Sequence, residues 1–183
     1  MEQKNGVIKK YDNYNILYEQ FIFNGKREGR YKYYYENGVI GELGNYTNNK
    51  REGENREYYS NGQVCEIYTY KNDKFEGKHK AYYDNGQLRA IHRYIDDKKE
   101  GEHKEYDLDG ISYKIYKWKN GNLLEMCNYK NNKKNGKYME YYYSGQLHIT
   151  CNYDDDKLEG EYKSYWENGQ LKQIYIYENG KKI

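Results

Sequence analysis

Two glycine series with a common period run through this chain of 183 residues. Gly29, Gly53, Gly77 and Gly101 follow one another at steps of 24, as do Gly136 and Gly160, and a second glycine follows each by nine: Gly38, Gly62, Gly86, Gly110, Gly145 and Gly169. Twelve of the 18 glycines therefore occupy two slots. Self-similarity at a period of about 20–50 residues is the mark of a repeat architecture, in which a unit that cannot bury its apolar face alone stacks on its neighbours. The gap from Gly110 to Gly145 is 35, or 24 plus 11. Because "NGNLLEMCNYKNNKKNG" aligns with "SGQLHITCNYDDDKLEG", Gly121 reads as a second-series glycine whose preceding half-unit is missing. Residues 1–23 read as a degenerate N-terminal repeat or cap, where Asn13-Tyr14 stands in place of a turn pair. Residues 24–183 read as an array of about seven units, one of them truncated around 111–135.

Within a unit, two extended runs flank an Asn-Gly, as in "KHKAYYD", Asn85-Gly86, "QLRAIHRY". Asn-Gly between such runs is a hairpin signal of type I′, in which both central residues take positive φ. The polar clusters "KNDKFEG", "IDDKKEG" and "YDDDKLEG" read as longer return loops. Gly77 and its equivalents then supply either a left-handed or bulged backbone, or room for an aromatic ring over the chain. In the second run, residues two and eight places after the Asn-Gly glycine (Val64 and Tyr70, for example) are an even number apart and so are expected to share a face. The residue five places on, such as Ile67, faces the other way. In the first run, the fifth residue after the first glycine is always tyrosine, and Tyr34, Tyr58, Tyr82, Tyr141 and Tyr165 form the candidate interaction face. The expected fold is all-β: an elongated single-layer antiparallel meander of stacked hairpins, with about 14 or 15 strands at roughly 4.8 Å each. Lys4, Lys9 and Lys10 at one end and Lys181 and Lys182 at the other are placed to discourage edge-to-edge association.

Composition narrows the function. A mean hydropathy of −1.40 would suit disorder, but 28 tyrosines do not. A tyrosine can bury its ring and keep its hydroxyl wet, which suits a thin layer rather than a thick dry core. The 31 basic and 29 acidic residues are interleaved, giving a net charge of +2 and no run that would mark a tail for nucleic acid. No apolar segment approaches the roughly 18 residues that cross a bilayer, and the N-terminus lacks the apolar core of a secretory signal. A cytoplasmic location is expected.

Residues that could carry chemistry all belong to the repeat. His79 and His103 hold the same slot in consecutive units. Two strands separate such slots, roughly 9.5 Å, too far for one metal with ligands at about 2.1 Å. His92 and His148 sit in other slots. Cys127 and Cys151 are likewise one period apart, beyond disulfide reach, and Cys65 lies elsewhere, so reduced thiols are expected. Trp118 and Trp166 replace tyrosines. Carboxylates cluster only where every unit repeats them, whereas a catalytic pair is singular. The expectation is a protein that is not an enzyme and that uses no metal or cofactor.

"EGKHKAYYDNGQL" and "EGEYKSYWENGQL" resemble the variant MORN repeat, with its G-x-x-x-x-Y-Y-x-N-G-Q-L core and K-x-x-G return, and the resemblance runs from about residue 14 to 183. It departs from the more familiar MORN consensus, carrying YY-x-NGQL where that has a G-x-G core. The resemblance implies a β-hairpin solenoid and a mostly non-enzymatic role as a scaffold or self-associating module. The partner would be another protein, or a second copy in a homodimer, rather than nucleic acid. The rival uses it implies are a membrane-surface module near phosphoinositides and an antitoxin-like inhibitor of a partner protein.

Overall fold

The computed structural model describes residues 5–11 and 16–183. Lys4, Asn13 and Tyr14 lie outside the described residues. The described residues form nineteen strands and no helix. In chain order these are β1 (Gly6–Tyr11), β2 (Ile16–Phe23), β3 (Lys26–Tyr34), β4 (Ile40–Thr47), β5 (Lys50–Arg51), β6 (Gly53–Tyr58), β7 (Val64–Lys71), β8 (Lys74–Phe75), β9 (Gly77–Tyr82) and β10 (Leu88–Ile95). They continue with β11 (Lys98–Lys99), β12 (Gly101–Tyr106), β13 (Ser112–Lys119), β14 (Asn122–Lys130), β15 (Lys133–Tyr141), β16 (Leu147–Asp154), β17 (Lys157–Tyr165), β18 (Leu171–Glu178) and β19 (Lys181–Lys182). All belong to one open antiparallel sheet, the all-β repeat of hairpins that the glycine series implies. The chain divides into a first compact unit, up to Arg89 with Tyr94–Asp97, and a second, Ala90–Arg93 with Lys98–Ile183.

Two turn types alternate, and their roles are the reverse of the sequence expectation. The polar clusters are the tight turns: Asn72 and Asp73 have φ of 53° and 69°, and Asp155 and Asp156 of 46° and 69°. Positive φ at both central residues is type I′ geometry, and Asn and Asp tolerate it because their short side chains bond locally. At the Asn-Gly sites only the glycine is left-handed, 84° at Gly86. There the Gly86 amide donates to the Tyr83 carbonyl and the Tyr83 amide to the Gln87 carbonyl, while Asn85 Oδ1 accepts from the Gln87 amide. This is the three-residue hairpin, a type I turn closed by a glycine bulge. The reading of Gly121 changes with it. Asn120 and Gly121, at φ 50° and 85°, make a type I′ return turn, so the missing half-unit follows Gly121 instead of preceding it.

The alternative left open for Gly77 is settled too. Its φ is 81° and a Cβ there would meet nothing within 4 Å, so the glycine serves the backbone and not a ring. It sits where the returning strand gains residues. Between the pairs Leu43↔Arg56 and Tyr46↔Arg51, three steps on β4 face five on the chain from Arg51 to Arg56, and Gly53 lies in that bulge with φ of 83°.

A second bulge overturns the expected face of the residue two places after the turn glycine. Glu57 pairs with Glu66 but Tyr58 pairs with Val64, so β7 contributes one extra residue, Cys65. The extra residue breaks the alternation. Val64 therefore lines the same groove as Ile67 and Tyr82, on the face opposite Tyr70. The same one-residue step recurs at Tyr34↔Ile40, Tyr141↔Leu147 and Tyr165↔Leu171.

Candidate interaction surface

In the first unit the two sheet faces carry different chemistry. One face is sealed. Tyr31 is 1% exposed and donates its hydroxyl to Glu42. Asn55, fully buried, donates from Nδ2 to both Tyr31 Oη (2.5 Å) and Glu42 Oε1 (2.9 Å). Tyr68 donates to Glu57 at 2.5 Å, and His79 lies 2.8 Å from Glu66. Burial first, and the neighbouring carboxylate second, push the Tyr31 and Tyr68 phenols far above their ordinary values, so both stay neutral donors. Gly44 makes room for this network: a Cβ there would lie 2.2 Å from Asn55 Oδ1 and 2.7 Å from Tyr31 Cε1. The residue eight places after the turn glycine is capped by a cation from the neighbouring hairpin. Arg27 stacks 4.1 Å from the Tyr46 ring and Arg51 4.7 Å from the Tyr70 ring, and each also donates to that tyrosine's hydroxyl. Phe75 stacks on Tyr70 at 4.8 Å and reaches Tyr94 at 5.4 Å.

The turns stitch successive hairpins together. Asp73 Oδ1 accepts the Arg51 amide at 2.7 Å, and Asp97 Oδ1 the Phe75 amide at 2.7 Å. The acid before each bulge glycine answers from the other side: Glu28, Glu52 and Glu76 accept from the amides of Asn48, Asn72 and Asp96. At the opposite end, Tyr35 and Tyr59 donate to the carbonyls of Tyr58 and Tyr82 at 2.6 and 2.7 Å. Sequence reasoning missed this role for the recurring acids and for the sixth-place tyrosines. The signal was there, since each partner sits a fixed 20, 22 or 23 places away.

The other face of the first unit carries the candidate tyrosines. Tyr34, Tyr58 and Tyr82 are half-buried and share this face with Lys32, Leu43, Arg56, Ile67 and Lys80, which follow one another through the pairs Lys32↔Leu43, Leu43↔Arg56, Arg56↔Ile67 and Ile67↔Lys80. The interleaved charges thus segregate on folding. Alternation along β3, β6 and β9 puts Arg30, Lys32, Arg56, Lys78 and Lys80 on this face with one acid of the same strands, Glu54, and Glu19 of β2 adds a second opposite Lys32. The acids Glu42, Glu57 and Glu66 are on the sealed side.

In the second unit the faces exchange. His103 pairs with Tyr116, and that row continues as Met126, Met139, Thr150, Lys163 and Ile174. The row that begins Lys104↔Ile115 continues as Cys127, Tyr138 and Cys151. Tyr138 and His103 hold the same slot of the repeat but lie on opposite faces. Tyr106 and Tyr141, also slot-mates, are therefore opposed: the Tyr106 ring lies tilted 5.8 Å from Tyr113, while Tyr141 donates to Met139 Sδ at 3.5 Å. Tyr165 is on the Tyr141 side, in alternation with Lys163. The five candidate tyrosines thus split into Tyr34, Tyr58 and Tyr82 on one face of the first unit, and Tyr141 and Tyr165, which share a face within the second.

The remaining sequence candidates fall as follows. His92 and His103, in different slots, stack at 5.0 Å. The three cysteines are free thiols, with Cys127 and Cys151 buried. Among the described residues no three His, Cys, Asp or Glu side chains converge as metal ligands. Trp118 is capped by Lys99 at 4.6 Å, and Trp166 is half-exposed beneath Lys172 at 4.2 Å. Lys9 pairs with Glu19 at 2.8 Å, and Lys182 lies over Tyr175 at 3.4 Å. No helix among the described residues is long and apolar enough to cross a membrane.

An open sheet built from periodic double hairpins, sealed by tyrosine on one side of each strand pair, defines a repeat protein. The MORN repeat variant model matches residues 27–48, 51–72, 75–96, 113–131, 134–155 and 158–179, and the chain belongs to that family. Such repeats are generally associated with scaffolds for protein or membrane-lipid interaction, and the fold is compatible with a non-enzyme. No curated protein matches the chain. Among solved structures, a chain of the "Crystal Structure of TcdB2-TccC3-Cdc42" is similar at 11% identity with a TM-score of 0.20, and the match spans 96% of this chain and 14% of that one.

Proposed function

We propose that this chain is a non-enzymatic protein-interaction scaffold whose contact surface in the first unit is the face bearing Tyr34, Tyr58 and Tyr82. The observation that carries the reading is the contrast between faces. Tyr31 and Tyr68 are buried with their hydroxyls on carboxylates, while Tyr58, Tyr82 and Tyr34, the last with its hydroxyl on Glu19 at 3.1 Å, stand half-exposed beside Leu43, Val64 and Ile67. Tyrosine supplies large contact area at low entropic cost and is enriched at interface centres. A second copy of the chain is one partner this surface would accept. The cations on the same face favour a second reading, an anionic membrane surface, where each Lys or Arg is worth about 1 kcal/mol.

Analytical ultracentrifugation beside liposome flotation, with and without phosphoinositides, tests the two. A dimer that ignores lipid, and that weakens in the Tyr58→Ser, Tyr82→Ser double variant with the fold intact by circular dichroism, is the expected result. Salt-sensitive flotation of a monomer would replace the scaffold reading by the membrane one.

A further inference from the structure

The row Lys32, Leu43, Arg56, Ile67, Lys80 alternates cation and aliphatic across five consecutive long strands, and no acid interrupts it. We infer that this row is a docking line for an acidic amphipathic α-helix of a partner protein, laid across the strands with acids at every seventh position and an aliphatic residue midway between them. The inference rests on the scaffold reading and names the partner's chemistry.

The spacing of the row matches that of a helix face. Strands lie about 4.8 Å apart, so the three cations recur every ~9.6 Å with Leu43 and Ile67 halfway. A helix rising about 1.5 Å per residue places residues i, i+3, i+7, i+10 and i+14 at roughly 0, 4.5, 10.5, 15 and 21 Å along one face. Acids at i, i+7 and i+14 then meet Lys32, Arg56 and Lys80, while apolar residues at i+3 and i+10 meet Leu43 and Ile67. An extended strand fits worse, because its same-face residues recur every ~6.8 Å and residue i+3 points away. A single-stranded nucleic acid wants aromatic platforms for its bases and an unbroken basic track for its backbone. Here the aliphatic positions fall between the cations.

The surroundings suit a helix. Tyr34, Tyr58 and Tyr82 flank the row on one side, and Leu43 and Arg56 line a shallow groove with Arg30, Asn45 and Glu54 on the other. Glu54 holds Arg56 at 2.7 Å at an exposed site, where such a pair is weak and exchanges readily, so a partner carboxylate can replace it. Glu19, paired opposite Lys32 and held by Lys9 at 2.8 Å and the Tyr34 hydroxyl at 3.1 Å, closes the row at its first cation, 3.8 Å from Lys32, and a partner carboxylate there adds to it.

The test uses the full chain and three synthetic peptides of equal length, each long enough to span positions i to i+14, read by fluorescence anisotropy. One peptide has Glu at i, i+7 and i+14 with Leu at i+3 and i+10; the second shuffles the same composition; the third replaces those Glu by Lys. The first should bind with salt-sensitive affinity, and the variant K32E/R56E/K80E should lose at least about tenfold. That variant should bind the Lys peptide, which also shows that it folds. Equal binding of the shuffled peptide, an unchanged affinity in the variant, or row-dependent binding of phosphatidylserine vesicles or oligo-dT without peptide binding would each overturn the inference. If the helix peptide fails while the tyrosine variant still weakens the dimer, the helix reading falls and the scaffold reading stands.

Discussion

In the first unit the return turns end at Gly25, Asn49, Asp73 and Asp97, always at steps of 24, and every strand keeps its role. In the second unit the same position is held by Gly121, Asn132, Asp156 and Gly180, at steps of 11, 24 and 24. A single strand, β14, fills the short step and must act as second run to β15 and first run to nothing. It pairs with β13 on one side and β15 on the other, through Ile115↔Cys127 and Cys127↔Tyr138. Because side chains alternate with period two, an odd insertion or omission moves a whole row to the other face. The comparison teaches that in this repeat the slot fixes what a residue is, while the parity of the chain between turns fixes where it points. It also explains why Tyr141 and Tyr165 cannot be grouped with Tyr106.

The sharpest way to break the comparison is to empty equivalent slots. Tyr31 and Tyr162 both stand two places after a bulge glycine, but Tyr31 is 1% exposed and Tyr162 only half-buried. Tyr31→Ala should cost about 3–5 kcal/mol of unfolding free energy, by analogy with large-to-small changes of buried aromatics. Tyr162→Ala should cost clearly less. Equal losses in urea titrations would show that slot alone sets the energetics.

Filling a slot should come next. Gly44 occupies the position that Cys127 and Cys151 hold in the second unit, and a methyl there would run into Asn55 and Tyr31. Gly44→Ala should destabilise by about 1–3 kcal/mol through overpacking, and the double variant with Asn55→Ala should recover part of the loss. Smaller again are the turn stitches. Asp73→Ala and Asp156→Ala each remove one carboxylate that accepts a backbone amide, Arg51 at 2.7 Å or Lys134 at 2.8 Å. Each should cost about 1 kcal/mol, and the two should match, since this contact is indifferent to which face the aromatic row occupies.

How far the sequence could be read follows the same division. Period, hairpins, sheet class and family were legible because glycines and turn residues punctuate the chain at fixed intervals. Turn types were misread because Asn-Gly and Asp-Asp can each serve two geometries, and the choice depends on whether the first residue also goes left-handed, as Asp155 does and Asn85 does not. The faces were misread wherever a bulge residue such as Cys65 carried no mark in the sequence. Charge segregation was invisible for the same reason: Lys32, Arg56 and Lys80 become neighbours of Leu43 and Ile67 only through register. The recurrence of the candidate tyrosines was legible as a slot, but their division between faces needed the odd step after Gly121.

The smallest expected effect concerns pH and a slot that the units fill differently. Two places after the bulge glycine the first unit carries Tyr31, the fully buried Asn55 and His79; in the second unit the residue two places after Gly101 is His103, 1% exposed, stacked 5.0 Å from His92 with the Trp118 ring tilted 5.9 Å away. Burial lowers the His103 pKa below its ordinary value, and Lys99 pushes the same way, while bonds to the Arg93 and Glu100 carbonyls and the charge of Glu105 oppose them. A lowered folded-state value means that the fold holds the neutral ring. The unfolded chain takes up its proton near pH 6.5, so this contribution is complete above that pH and is lost as pH falls from there through the folded value. His103→Asn installs a residue that this slot already carries, buried, at Asn55 and removes the titration. The wild type should therefore lose more of its urea midpoint between pH 7.5 and pH 5 than the variant does. Parallel losses in the two proteins would mean that His103 is charged in the fold and that its burial imposes no pH dependence.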